Sequence, residues 1–336
     1  MGHPKSVDLG ALLAALPPLA ALAYGPWGTT LVAGAALILV NSPFTSIHHA
    51  PVVRITAFAL CVLSVAIAAS RARHDAQLVN VRLVAEAAQR GVLRPPPPVI
   101  GQLRCGALYR AAQHGTLVGG DLYDVLTTSR GVRAVVADVQ GHGISAVGTV
   151  AALLGTFREA ALDETDLGGI AGRLDRRLGI EADLRGDEPG ELFATAVLIE
   201  FDQDASRARL ISCGHPSPLL IRDGAAEEVS TDHAPPLGLG LTHTARVHTL
   251  ALRPGDVLLA YTDGVTEARD AQGDFYPLRD RVRHAEPTRL VTAVWKDLSG
   301  YTSAIDDDVA LLALSPQALP GHRARRPGTG WRRATP

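Results

Sequence analysis

Cysteine is scarce in this chain of 336 residues. The three that occur, Cys61, Cys105 and Cys213, have no neighbouring Cys or His at zinc-ligand spacing, which excludes a disulfide framework and a structural zinc site. Reduced thiols of this kind suit a cytosolic domain. Net charge is nearly absent as well, at -2, so no nucleic-acid partner is expected. Charge is missing locally too. Leu9–Tyr24, Thr29–Val40 and Ile55–Ser70 hold almost none. No one of these runs reaches the roughly 20 apolar residues a membrane helix needs. Extending the third back to Pro51 reaches that length but takes in Arg54, which can snorkel to an interface. Pro17 and Pro18 interrupt the first run, a feature membrane helices tolerate. A cleaved signal peptide accounts for the first run but not for the other two. A buried hairpin of a soluble protein calls for a charged face that is not there. Residues 1–70 are therefore expected to be an anchor of two or three transmembrane helices. Arg71 and Arg73 follow it at once, then Arg82, Arg90 and Arg94. The positive-inside rule places the rest of a multi-pass cell-membrane protein in the cytoplasm.

The length suits about two domains, and the chain changes character at several points. In 71–98, Leu78, Val81, Ala85, Ala88 and Val92 recur at helical spacing among Arg82, Glu86, Gln89 and Arg90. This predicts an amphipathic linker helix, a candidate homodimer contact as a short coiled coil. Pro95–Pro98 ends it as a stiff boundary. From 99 to 315 the chain is expected to form one compact domain. Strand-like runs lie at Gly131–Asp138, Leu192–Phe201, Ala208–Ser212, Pro218–Ile221, Val247–Leu252, Asp256–Thr262 and Asp308–Leu314. The second and third are joined by Asp202–Ser206, a hairpin signal. Helix-like runs lie at Ser145–Leu162, Leu167–Leu184 and Pro287–Leu298. Antiparallel-looking strands with few helices predict an α+β sandwich rather than a βαβ repeat. Residues 316–336, rich in Pro, Gly and Arg, read as a basic disordered tail.

The chemistry-bearing residues are aspartates. Asp121 follows Gly119-Gly120, Asp138 ends an apolar run, Asp263 follows Val257–Thr262, and Asp306-Asp307-Asp308 opens the last run. Any single Asp reads as a turn residue. Together, acidic residues at strand ends far apart in sequence are how a chain builds a pocket of hard oxygen ligands for Mg²⁺ or Mn²⁺. Carboxylates gathered this way repel one another unless cations neutralise them. Two divalent ions so held can activate a water and clamp a phosphoryl group for in-line attack.

Seven segments carry a family resemblance, in order: Gly119–Asp124, Val136–Gly143, Phe193–Thr195, Cys213–Pro218, Pro236–Gly238, Tyr261–Glu267 and Asp307–Ala310. The set resembles the metal-dependent protein serine/threonine phosphatases (PPM type) of the SpoIIE branch, and the apolar amino terminus resembles membrane-anchored actinobacterial members. The resemblance covers roughly 100–315 and implies a two-sheet α/β sandwich of the PPM type, here preceded by the transmembrane helices. It implies two Mn²⁺ or Mg²⁺ ions. Asp138 would bridge both, the Val139 carbonyl would bind one, and Asp263 and Asp307 would hold the other. Asp121 would bind a metal directly or through water. The nucleophile would be the hydroxide bridging the ions, with no phosphoenzyme. Asp306 or Asp308 could replace Asp307 in this role. Gln140 takes no proton-transfer role. His142 could contact phosphate or act as an acid, or could be a turn histidine held by the backbone. His215 reads as a structural corner beside the sheet, and Thr195 and Thr262 as strand residues.

The resemblance further implies a phosphorylated regulatory protein of the anti-anti-sigma (STAS) type as substrate. A diguanylate-cyclase reading of Gly119-Gly-Asp-Leu-Tyr123 lacks the acidic residue that should follow the Asp and leaves Asp263 and Asp307 unexplained. A non-catalytic membrane scaffold that binds a phosphoprotein is countered by the full set of acidic positions.

Overall fold

A computed structural model describes residues 9–42, 51–112, 119–141, 143–188, 190–302 and 304–317. The expected tail beyond 317 and His142 lie outside these residues. So do the side chains of 78–90, which carry most of the amphipathic linker pattern. The chain divides into two compact units, Met1–Leu83 and Val84–Pro336.

In the first unit, α1 (Leu9–Ala23) and α2 (Pro26–Val40) are each 15 residues long. Pro17 and Pro18 lie inside α1 rather than ending it. The long α3 (Pro51–Val92) takes in both the third apolar run and the predicted linker helix without a break. Within it, Arg54–Gln77 is long and apolar enough to cross a membrane, and α2 is shorter than that requirement. The packing is sorted by size. Ala20, Ala21, Ala33, Ala36, Ala57, Cys61 and Ala68 are buried, whereas Trp27, Leu31, Ile38, Ile55, Phe58 and Val62 face outward. Arg71 donates to the carbonyls of Ala21 (2.8 Å) and Leu22 (3.2 Å), binding two of the acceptors that α1 leaves free at its end.

The second unit is a sandwich of two sheets with helices on both outer faces. One sheet runs β1 (Val99–Ile100), β2 (Leu103–Arg110), β12 (Val309–Pro316), β11 (Val257–Tyr261), β7 (Leu219–Arg222), β8 (Ala225–Glu228). The other runs β10 (His248–Ala251), β6 (Arg207–Cys213), β5 (Ala194–Phe201), β4 (Gly131–Val139), β3 (Asp121–Thr128), with β9 (His233–Ala234) added parallel to β6. The β5–β6 hairpin forms where Asp202–Ser206 predicts it. The helices α4 (Ile144–Asp163), α5 (Leu167–Arg185) and α8 (Pro287–Tyr301) match the helix-like runs to within a few residues, and α6 (Asp263–Thr266) and α7 (Leu278–Arg281) are single turns.

Strand periodicity sorts each strand between two cores, since alternate side chains face opposite ways. In β4, Val132, Ala134 and Val136 point between the sheets, to meet Leu258, Ala260, Ala310 and Leu312. Val135, Ala137 and Val139 point the other way, onto Val150, Leu154 and Phe157 of α4 and Ile170 and Leu174 of α5. A third core joins Leu259, Tyr261 and Leu311 to Leu290, Val291, Val294 and Leu298 of α8. Strands buried on both faces explain why β4, β5, β11 and β12 read as continuous apolar runs.

Candidate active site

The inter-sheet face of β4 continues one step past Val136, and that step is Asp138. Antiparallel register sets Asp121 of β3 opposite Asp138 on one side and Thr195 of β5 opposite it on the other. Asp121, Asp138 and Thr195 thus form a row across three strands where the inter-sheet core ends. The facing sheet brings Thr262, which follows β11, and Asp308, which precedes β12. Asp263 is the first residue of α6, one position beyond Thr262. Asp307 lies in the turn before β12.

Two glycines let these segments close on one another. A Cβ at Gly120 would lie 1.9 Å from the Val139 carbonyl oxygen, and one at Gly264 would lie 1.9 Å from that of Asp308. Neither approach leaves room for any other residue. Val139 also donates its N–H to the Gly120 carbonyl at 3.1 Å, so the two strand ends are tied where the site begins.

The carboxylates are close enough to repel. Burial, then Asp138, Asp308 and Asp307, push Asp121 well above the usual carboxylate range, against a hydrogen bond from Thr262. Burial, then Asp263, Asp307 and Asp308, push Asp138 up to about 7. Burial, then Asp307 and Glu267, raise Asp263. Four separated segments therefore meet in one field of like charge. A cation relieves such crowding, and an all-oxygen donor set suits a hard divalent ion. The carboxylates converge without closing on a point: among the described residues no three His, Cys, Asp or Glu side chains are already grouped to hold a metal ion.

Of the Asp306–Asp308 run, Asp307 and Asp308 raise their neighbours, and the two do different work. Asp308 is buried. It accepts hydrogen bonds from the Tyr109 hydroxyl, from Ala112 N–H at 3.0 Å and from Gly119 N–H at 2.9 Å. It thereby ties down the chain on either side of 113–118. Asp307 is exposed and accepts from the Asp308 N–H at 2.7 Å. Asp306 is exposed and borders a cleft that Asp307 and Gly264 also line.

Sequence reasoning passes over the groups that hold the aspartates. The Thr262 hydroxyl donates to Asp121 Oδ2 at 2.6 Å and accepts from Ala310 N–H at 2.9 Å, so one buried side chain locks β11 and β12 to a carboxylate of the other sheet. Tyr109 acts similarly on Asp308. The available signal was alternation. Counting by twos from Leu258 through Ala260 reaches Thr262, and from Leu312 through Ala310 reaches Asp308.

The stage II sporulation protein E (SpoIIE) family profile matches residues 128–317, more than half of the chain. The phosphoserine phosphatase RsbP of Bacillus subtilis is 26% identical over 174 residues, 51% of this chain and 41% of that protein. A crystal structure of the RsbU and RsbW domains of a Mycobacterium tuberculosis protein aligns with TM-score 0.56 and 28% identity, covering 68% of this chain and 64% of that one. The PP2C phosphatase domain of SpoIIE from Bacillus subtilis aligns with TM-score 0.53 at 17% identity over 64% of this chain and 63% of that one, a likeness of fold. The chain thus spans less than two thirds of the length of each of these relatives.

Proposed function

The chain belongs to the SpoIIE family, and from that premise we propose that it is a metal-dependent protein serine/threonine phosphatase. The observation that carries this reading is the convergence of Asp121, Asp138, Asp263 and Asp307 at one end of the inter-sheet core, where Asp307 raises the other three and Asp138 raises Asp121. RsbP, a relative at 26% identity, is named a phosphoserine phosphatase, which supports the same substrate chemistry.

In this reading Asp138, Asp263, Asp307 and the Val139 carbonyl hold two Mn²⁺ or Mg²⁺ ions, with Asp121 as a direct or water-mediated ligand. Bound there, the ions supply charge neutralisation for a phosphate ester and a water of lowered pKa. The chain's own residues keep the carboxylates in place. Thr262 fixes the Asp121 carboxylate, Asp308 anchors Ala112 and Gly119 beside the site, and the Gly120 and Gly264 contacts keep the four segments together. Asp307, exposed and facing the cluster, is assigned as the ligand of its run. Asp308 has its oxygens engaged with Tyr109 and two backbone donors.

The substrate is proposed to be a phosphorylated regulatory protein of the STAS type, acting in sigma-factor control. The similarity to a chain that joins RsbU and RsbW domains supports a role in such a regulatory set. The first unit is proposed to span the cell membrane, with the second unit cytoplasmic. Its sorting of large apolar side chains outward and small ones inward supports lipid as the surrounding solvent. Arg71 and Arg73, which follow the charge-free Ile55–Ser70 run, support the orientation.

The test is hydrolysis of a phosphoserine peptide and of a chromogenic phosphate ester by the full chain in mild detergent. Activity is expected with Mn²⁺ or Mg²⁺ and not with EDTA. Turnover that survives exhaustive chelation would sink the metal-dependent reading.

A further inference from the structure

The row of side chains Asp121, Asp138 and Thr195 ends against a histidine that the proposed chemistry does not use. His215 follows β6 and is buried, 1% exposed. Its backbone is fixed on both sides: Ser212 donates its hydroxyl to the His215 carbonyl at 3.0 Å, and Gly214 bridges to Ala196 of β5. Its Nδ1 lies 2.9 Å from Thr195 Oγ1. The opposite ring edge turns toward the backbone of Tyr261 in the other sheet, yet Nε2 is buried without a hydrogen bond of ordinary geometry.

Burial holds the imidazole down at about 3, with the Tyr261 backbone opposing, so it is neutral across the physiological range. It is therefore unsuited to move a proton near neutral pH. With the Nε2 proton toward β11, Nδ1 accepts from the Thr195 hydroxyl. A buried imidazole with one unfilled nitrogen is costly, and an apolar side chain would fill the space without that cost. What the imidazole adds is a directional bond to one sheet and a rigid ring of fixed width against the other.

We propose that His215 is a positioning residue, a neutral strut between the sheets. It locks Thr195, and with it the Asp138 end of β4, at a set distance from the Tyr261–Asp263 end of β11. The proposal rests on the phosphatase reading, because the carboxylates it spaces are the ones assigned there to the ions. Ligand-supporting groups of this kind change metal affinity by about 10- to 100-fold when removed.

The experiment is Mn²⁺ titration by calorimetry on the metal-stripped full chain in detergent, with kcat and KM measured alongside. Thr195→Val removes the hydroxyl and keeps the shape, Thr195→Ser keeps the hydroxyl, and His215→Ala removes the strut. The expected result is an Mn²⁺ affinity about tenfold weaker in Thr195→Val and weaker still in His215→Ala, near wild type in Thr195→Ser. Turnover should fall with KM for the ester unchanged. If His215→Ala does not fold, the Thr195→Val and Thr195→Ser pair decides. A Thr195→Val isotherm superimposable on wild type overturns the strut and leaves the phosphatase reading intact. A wild-type chain that takes up no Mn²⁺ overturns both.

Discussion

At the scale of single residues, the site trades fold stability for charge. Asp138 is pushed up to about 7 by burial and by its acidic neighbours, whereas in the unfolded chain it titrates near 4. Between those values the folded state holds the extra proton, so stability from this group is full below about pH 4 and is lost as pH rises through about 7. Asp138→Asn should therefore abolish turnover and yet stabilise the EDTA-treated protein at pH 7.5. A rise of a few °C in Tm is expected, at roughly 2–4 °C per kcal/mol for a domain of this size. The gain should shrink toward pH 4, and comparing wild type with variant at each pH cancels His215, which titrates in the opposite sense. A metal-free Asp138→Asn less stable than wild type at pH 7.5 would contradict the crowding. Thr262→Val should remove the hydroxyl that donates to Asp121 and accepts from Ala310 N–H. The Mn²⁺ concentration for half-maximal activity should rise about 10- to 100-fold, with Thr262→Ser close to wild type. The aspartates were legible as a set: each alone reads as a turn residue, but acids recurring at strand ends far apart in sequence point to one pocket. Thr262, Tyr109 and Thr195 were not, because a hydroxyl at a strand end is ordinary until the opposite sheet is in place.

At the scale of elements, continuous apolar runs announce the strands buried on both faces, and β4, β5, β11 and β12 follow that rule. Leu103–Arg110 and Asp121–Thr128 are strands that no apolar run announces. β3 begins on one aspartate and carries another, a residue type that strands disfavour. Asp121 is there for the site. Asp124, turned to the helix side, pairs with Arg158 of α4 at 2.6 Å. A second tie between α4 and the sheet is buried. Arg133, fully buried in β4, donates to Glu200 at 2.6 Å and to the carbonyls of Ala161 and Glu164 at 2.8 Å each, where α4 ends. Its loss leaves those carbonyls without their donor and Glu200 with Arg209 alone. Arg133→Ala should cost about 3 kcal/mol in urea unfolding, the low end for breaking a buried ion pair, since Arg209 still reaches Glu200 at 2.9 Å. A cost under about 1 kcal/mol, that of a surface pair, would show the bridge to be ornamental.

At the scale of the whole molecule, the proposed role of the first unit is to set where the chemistry takes place. Carbonate-washed membranes should retain the full chain, and protease added to intact inverted vesicles should digest the second unit. Recovery of the chain in the soluble fraction would count against the spanning reading. The charge-poor runs made apolar helices legible from sequence, whereas the continuity of α3 from Pro51 to Val92 was not, because its apolar and polar halves look like separate helices. The β3–β4 hairpin has a consequence for how this molecule can change over time. Thr128 pairs with Gly131 across only Ser129 and Arg130, and that pairing runs unbroken to Asp121 opposite Asp138. Seven strand steps of about 3.4 Å separate the turn from the site, so the turn works as the zero mark of a ruler whose far graduation is the pair proposed to face the metal. Substitutions along the hairpin leave the ruler's length alone. A single inserted residue would reset it and swing Asp121 to the helix side, so drift here should tolerate altered letters and reject altered spacing.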